Sequence, residues 1–256
     1  MIVITVILLL LAGLIIGVSG IGGFLFPPMA MSLFNIGVRE SIATCLGGFI
    51  ILSSSGSMIY LRNGHVNKKY VYLILIGAVP GVLAGLAINV NINEMYLGLS
   101  LAALLLAAGI LLAIQWIRGR LKPAAPELYN EEKPELSFIN GKYALVTAGA
   151  IGGIMAGFMG VGGPIVTIPF MVYVGYLPKV SVGSSMFSCI FIVAFAFLAH
   201  LSYTSVNYVY VFLIGGLGAL GTWVGAMLAD KIKQESIRLV VAVVSLLSAV
   251  YIIYNL

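Results

Sequence analysis

Long apolar segments alternate with short polar ones along almost the whole chain. The ten apolar segments lie at residues 2–18, 24–36, 41–61, 70–90, 95–117, 142–159, 164–175, 181–201, 206–229 and 236–254. Several are close to the about 20 residues that an α-helix needs to cross a bilayer. The segments at 24–36 and 164–175 are too short for a comfortable crossing. The pattern predicts an all-α polytopic membrane protein.

A charged stretch at residues 118–141 separates these segments into two sets of five. It contains eight of the chain's 21 charged residues (13 basic plus 8 acidic) and three of its prolines. Such a composition indicates a solvated linker. We therefore expect a first transmembrane unit over residues 1–117 and a second over residues 142–256.

The two units share one glycine pattern, which indicates an internal duplication. A shift of 140 residues places the four glycines of Gly17–Gly23 on those of Gly157–Gly163. The same shift places Gly81 on Gly221 without any gap. A constant register over such a length is the signature of a structural repeat.

Equivalent loops of the two units differ in charge. The loop at 62–69 holds three basic residues, whereas its counterpart at 202–207 holds no charge. The turn at 90–94 holds no basic residue, whereas its counterpart at 230–238 holds three. The positive-inside rule then places loops 62–69, 118–141 and 230–238 in the cytoplasm and both termini outside. Equivalent loops on opposite sides predict inverted repeats, each a broken-helix hairpin plus three transmembrane helices.

Composition leaves few other classes of protein open. Of the 256 residues, 61% are hydrophobic and 8% are charged, whereas a soluble domain carries about a quarter charged residues. These values exclude a soluble enzyme, a nucleic-acid-binding protein and a disordered chain. Cys45 and Cys189 lie inside apolar segments and suggest neither a disulfide framework nor a metal pair. We expect no cofactor.

Each glycine cluster stands between a helix-length segment and a short one. Clustered glycines weaken a helix and permit positive φ, so we expect a break inside the membrane that faces protein or a wet cavity. The short helix after each break would direct free N–H groups at the bilayer middle, which suits an anion. Close approach of the ligand or positive φ is expected at Gly23 and Gly163. Close helix packing is the alternative explanation of the glycines, and both re-entrant and spanning hairpins remain open.

Neither acidic nor basic residues lie deep in an apolar segment. Intramembrane carboxylates usually mark cation pathways and proton relays, so a cation pump of that kind is disfavoured. Backbone N–H groups and hydroxyls would then bind the solute, and His200 is the best candidate for an intramembrane proton carrier. The predicted substrate-binding residues are Ser19, Gly20, Gly22, Gly23, Thr44, Gly160, Gly162, Gly163, Ser184, Ser185 and His200.

The duplicated Gly-x-x-Gly-x-Gly-Gly hairpins with their downstream prolines, together with Ala43-Thr44 and Gly183-Ser184, resemble the TauE/SafE family. Its members are also called sulfite exporters or the toluene sulfonate uptake permease family. The resemblance covers nearly the whole chain. It implies a transporter of sulfur-containing anions, such as sulfite or organosulfonates, in the cytoplasmic membrane of a bacterium or archaeon.

We therefore expect a secondary transporter that moves a small anion by alternating access, with the anion and the lipid bilayer as its partners and protons as a candidate coupling ion. A passive anion channel is one alternative. An intramembrane serine protease built on Ser19 and His200 is another, but the repeat places Met159 at the position equivalent to Ser19. The sequence does not specify the exact substrate, transport direction or oligomeric state.

Overall fold

The computed structural model describes residues 2–121, 138–229 and 234–255, and every regular element in these ranges is helical. Six of the helices in these ranges are long and apolar enough to cross a membrane, namely α3, α4, α5, α6, α8 and α9 as defined next. The helices are α1 (Ile2–Ser19), α2 (Phe26–Phe34), α3 (Val38–Arg62), α4 (Lys68–Asn91), α5 (Glu94–Leu121), α6 (Phe138–Met159), α7 (Pro164–Tyr173), α8 (Pro178–His200), α9 (Tyr208–Leu228) and α10 (Gln234–Asn255). The predicted all-α, multi-pass membrane fold is confirmed.

The two short apolar segments form two short helices. Helix α2 has nine residues and α7 has ten, which at 1.5 Å per residue is about half of the roughly 30 Å hydrocarbon core. A single 3₁₀ turn, Gly23–Leu25, precedes α2. Each short helix follows a glycine cluster, so the breaks lie where the sequence predicts them.

The central linker is described only at its ends. Helix α5 continues to Leu121 and α6 begins at Phe138, so both ends of the predicted 118–141 linker are helical. Residues 122–137 lie outside the described residues. The division into units at 1–117 and 142–256 stays a prediction.

Glycine faces bring helices of the two units into backbone contact. Gly77 of α4 lies against Val146 of α6, and Gly85 lies against Ile154. Both positions increase together, so α4 and α6 run parallel. Small residues spaced by four let two helix backbones approach closely, which is a typical packing mode of membrane helices.

The equivalent contact joins α1 and α9. Gly221 of α9 lies against Leu10 of α1, and Gly225 lies against Leu14, so these helices also run parallel. A shift of 140 residues exchanges α1 with α6 and α4 with α9. The molecule therefore makes the same contact twice, with the first helix of each unit on the fourth helix of the other.

Helices α3 and α8 form the centre of the molecule. Their apolar stretches are 67% and 56% buried, more than those of the other four candidate spans. They run antiparallel, because Gly47 lies against Phe197 whereas Gly56 lies against Met186. Both glycine breaks pack against this central pair of helices.

Candidate substrate site

The first glycine break lies between α1 and α2. Gly20 and Gly22 have φ angles of 70° and 133°, which glycine adopts without the steric cost of a Cβ atom. The Ser19 hydroxyl donates a hydrogen bond to the Ile15 carbonyl (2.8 Å) and accepts one from the Ile21 N–H (3.2 Å). Ser19 therefore closes the end of α1, because its hydroxyl is used within this turn.

The second break lies between α6 and α7. Gly160 has a φ of 65°, and a Cβ on it would come within 2.8 Å of an Ile42 methyl group. Helix α7 begins with Pro164 directly after Gly163. Proline fits the first helical position because the N–H that it lacks would have no helical acceptor there.

The expected positive φ is found at other glycines than Gly23 and Gly163. Gly163 has a φ of −48°, and Gly23 is not among the glycines with positive φ. Within the two breaks, the described residues with positive φ are Gly20, Gly22 and Gly160, just after the ends of α1 and α6. The reason is that a reversal of the chain has to be made before the short helix starts, whereas its first residues are already helical.

A small cavity lies between the two breaks. Its volume is about 30 Å³, which is room for about two water molecules. Gly20, Gly22 and Gly23 line it from the first break, and Gly162 lines it from the second. The structure therefore brings four of the predicted binding residues to one cavity.

This cavity, which we call the central cavity, is lined by residues from both halves of the chain. Gly22 and Gly162 are equivalent under the 140-residue shift, and so are Phe49 of α3 and Cys189 of α8. Both members of each pair line the cavity. The lining of the central cavity thus includes two pairs of positions that the 140-residue shift makes equivalent.

The wall of the central cavity offers hydrogen-bond donors. Within the described residues, no carbonyl oxygen accepts a hydrogen bond from the backbone N–H of Gly22, Gly23 or Gly162. Nearly all buried backbone N–H groups of folded proteins are paired. The three groups named here are exceptions, so they are available to a ligand. None of the described residues that line the cavity is charged. Unpaired backbone donors beside a cavity that lacks carboxylates favour an anion.

Two side chains that sequence reasoning did not select add polar groups to this wall. Ser53 and Cys189 both line the central cavity. The Cys189 sulfur lies beside Gly162 of the second break. The available signal for Ser53 was its spacing of four residues from Phe49, which places both on one face of α3.

The predicted hydroxyls Thr44, Ser184 and Ser185 do not line the central cavity. Ser184 accepts a hydrogen bond from the Asn67 backbone N–H (3.0 Å) and so ties the loop before α4 to α8. Ser185 pairs with the hydroxyl of Thr167 in α7 (2.8 Å). The buried Thr44 hydroxyl has no hydrogen-bond partner among the described residues.

His200 lies at the end of α8 and is 1% exposed, but it is not part of the central cavity. Its Nδ1 atom contacts the Ala196 carbonyl (3.0 Å). Tyr60 occupies the equivalent position of the first unit, and its hydroxyl donates to the Gly17 carbonyl (3.1 Å). The structure thus places His200 outside the central cavity.

A larger cavity of about 200 Å³ lies at the end of the molecule where α3 ends and α8 begins. A Cβ on Gly20 would come within 3.0 Å of a methyl group of Val182, and Val182 lines this larger cavity. Gly20 and Val182 therefore form a partition between the two cavities. The equivalent pair at the opposite end is Gly160 and Ile42, which are also in contact.

Comparison with known proteins agrees with this architecture. The model of the sulfite exporter TauE/SafE family matches residues 4–252. A probable membrane transporter protein of Bacillus subtilis (strain 168), YunE, is 22% identical over 99% of this chain and 97% of its own length. A second protein of that organism, the probable membrane transporter protein YdhB, is 25% identical over 88% of both chains.

A probable membrane transporter protein of Xylella fastidiosa is 22% identical over 96% of this chain and 92% of its own length. No solved structure matches the chain significantly. The match of the family model over almost all residues decides the assignment. The chain belongs to the TauE/SafE sulfite exporter family, and it is a multi-pass membrane transporter rather than an enzyme.

Proposed function

We propose that this protein is a secondary transporter that moves a small sulfur oxyanion or organosulfonate across the cytoplasmic membrane by alternating access. The observation that carries the proposal is the central cavity, where both glycine breaks supply unpaired N–H groups and no lining residue is charged. Sulfite, with three oxygen atoms on one sulfur, is the simplest anion of this class. Since the cavity holds only about two water molecules, the hairpins have to separate to bind it.

The helix directions support an arrangement of inverted repeats. Helix α3 runs parallel to α9, because Gly47 lies against Val211 and Gly56 lies against Thr222. Helix α1 is parallel to α9 as well, so α1, α3 and α9 share one direction. Helix α4 turns back from α3 after a short loop, and α6 runs parallel to α4. The equivalent helices α1 and α6 therefore point in opposite directions, as do α3 and α8. Such repeats can exchange conformations and so expose one site to each side in turn.

The two partitions are our candidates for the two gates that alternating access requires. The larger cavity borders the Gly20–Val182 partition, and its lining includes Asn63 and His65 of the basic loop at 62–69. We place that loop, and with it the larger cavity, on the cytoplasmic side, with both termini outside. The Gly160–Ile42 partition then faces outward. Opening one partition while the other stays closed would carry the anion across.

The test is counterflow of ³⁵S-labelled sulfite into proteoliposomes that contain the purified protein and are preloaded with unlabelled sulfite. A carrier takes up the label transiently against its gradient, whereas a channel lets it equilibrate without overshoot. Thiosulfate, an alkylsulfonate and a short carboxylate compete from outside to define the substrate class. Failure of all four anions to exchange would overturn the proposal, and equilibration without overshoot would favour the channel.

A cavity-filling variant links transport to the site. A Cβ at Gly162 would come within 3.0 Å of the Cys189 sulfur, so Gly162→Ala should reduce counterflow. The matched control is Gly216→Ala in α9, where an added Cβ meets nothing within 4 Å. Equal counterflow in both variants would show that the central cavity is not on the transport path.

A further inference from the structure

A buried polar cluster lies at the opposite end of the molecule from the larger cavity. Arg39, near the start of α3, donates hydrogen bonds from Nη2 to the carbonyls of Asn89 (3.0 Å) and Ile92 (2.8 Å) at the end of α4. The Asn89 amide donates in turn to the Phe158 carbonyl (2.6 Å) at the end of α6. Arg39 and Asn89 therefore tie the start of α3 and the end of α6 to the end of α4.

Several polar atoms of this cluster have no partner. Asn89 and His200 are 0% and 1% exposed, yet Asn89 Oδ1 and His200 Nε2 make no hydrogen bond within the described part of the chain. The buried atoms Arg39 Nε and Thr204 Oγ1 have no partner there either. The backbone N–H of Thr204 bonds to the His200 carbonyl (3.0 Å), so Thr204 lies at the same end of α8 as His200. Unsatisfied buried polar atoms are rare in folded proteins and call for an explanation.

The repeat supplies that explanation. Arg39 is equivalent to Lys179, and His200 is equivalent to Tyr60, under the 140-residue shift. Lys179 and Tyr60 line the larger cavity at the other end of the molecule. Because Lys179 and Tyr60 share one cavity, we expect their equivalents Arg39 and His200 to lie together at the opposite end of the molecule. The polar cluster then occupies the position of a second cavity of the same kind, in which Asn89 and His200 are buried in this conformation.

The unpartnered atoms define the chemistry of a ligand. The Ala196 carbonyl can only accept a hydrogen bond, so Nδ1 of His200 carries the hydrogen and Nε2 of the neutral ring is an acceptor. Asn89 Oδ1 is a second acceptor, whereas Arg39 Nε is a donor with a positive charge. The positively charged donor suits an anionic oxygen, and the acceptors suit a hydroxyl group. Both groups occur together in an oxyanion that retains one hydroxyl group.

We propose that Arg39, Asn89 and His200 form a gate that binds a monoprotonated oxyanion, of which hydrogen sulfite is the simplest in the proposed substrate class. In the closed gate, Arg39 holds the carbonyls of Asn89 and Ile92. In the open gate, the guanidinium binds the oxyanion, and the single O–H of the oxyanion donates a hydrogen bond to one of the two acceptors. The proposal rests on the proposed transport function and adds a second binding site between the Gly160–Ile42 partition and the solvent.

The first test measures how far transport depends on the charge of Arg39. Arg39→Gln keeps a polar side chain but removes the charge, and we expect ³⁵S-sulfite counterflow to fall at least about tenfold. Arg39→Lys should retain more counterflow than Arg39→Gln. The control is Arg62→Gln, an exposed charge at the other end of α3, which should transport like the wild type. Unchanged counterflow in Arg39→Gln would overturn the proposal.

The second test reports on closure of the gate. Ile42 is completely buried beside Gly160, so a cysteine in place of Ile42 should react slowly with a membrane-impermeant maleimide. Adding Arg39→Gln should accelerate that reaction severalfold, whereas adding His200→Gln should leave it slow and raise the KM for sulfite instead. Protein with Arg39→Gln alone is the control, because its two native cysteines are buried. An unaltered labelling rate would contradict a latch role for Arg39.

The two proposals fail in different ways. If the wild-type protein shows no counterflow with sulfite or the competing anions, the proposed function fails and the gate site fails with it. If the wild type transports sulfite while the Arg39→Gln and His200→Gln variants transport it equally well, only the gate fails.

Discussion

The neighbouring residues Gly22 and Gly23 allow a sharp test of the backbone site. Gly22 has a φ of 133°, and a side chain forced into such a conformation costs about 1–3 kcal/mol. Since about 1.4 kcal/mol corresponds to a tenfold change in affinity, Gly22→Ala should weaken sulfite binding by about 5- to 150-fold if the strain is relieved by turning the N–H away from the cavity. Gly23 has no such strain, and a Cβ there would lie 3.5 Å from the Phe49 ring in ordinary contact. Gly23→Ala should therefore bind within about twofold of the wild type.

The assay is a sulfite binding isotherm and a melting temperature for each purified variant. Gly81→Ala is the packing control, because a Cβ at Gly81 would overlap the Ala150 carbonyl oxygen between α4 and α6. We expect that variant to lose melting temperature more than affinity. If Gly22→Ala binds as tightly as Gly23→Ala, or if it loses only melting temperature, the N–H groups of this turn do not hold the substrate.

Three further outcomes are expected. Gly162→Ala should weaken sulfite binding, and adding Cys189→Ala should partly restore it by freeing the space that the new Cβ needs. If the second substitution leaves the loss unchanged, the new Cβ does not act by filling the central cavity. Single cysteines at positions 67 and 207, in place of Asn67 and Asn207, should react with an impermeant reagent from opposite sides of the membrane, and labelling from one side would refute the inverted arrangement. Ser184→Ala should lower stability by about 0.5–1.5 kcal/mol through the lost bond to the Asn67 N–H, with sulfite affinity unchanged, and a selective loss of affinity would return Ser184 to the binding site.

The helices were predictable because their signals are local. The lengths of apolar runs and the glycine clusters depend on neighbouring residues alone, so the short helices α2 and α7 could be placed directly after the breaks. The 140-residue repeat added long-range information, since Gly81 and Gly221 had to play the same packing role in both units. The end of α5 and the start of α6 were not predictable, because residues 118–121 continue α5 past the apolar segment at 95–117 and residues 138–141 begin α6 before the apolar segment at 142–159.

The binding residues were only partly predictable, because which face of a helix meets a cavity depends on tertiary packing. Glycines of both breaks line the central cavity, as expected if their backbone N–H groups bind the substrate. Ser53 and Cys189 were missed since each has an apolar partner in the other unit. Ser184 and Ser185 were selected for their position in sequence after a short helix, yet their hydroxyls bond to Asn67 and Thr167.

Binding of one anion between the two glycine breaks can be tested directly by locating the bound sulfur. Long-wavelength diffraction from crystals grown with sulfite would reveal the ligand sulfur through its anomalous signal, beside the known positions of Met186 and Cys189. The account predicts one additional sulfur peak about 4 Å from the backbone nitrogens of both Gly22 and Gly162, as N–H···O hydrogen bonds to a sulfur oxyanion require. A fully occupied sulfite outside the central cavity, with this cavity empty, would contradict it.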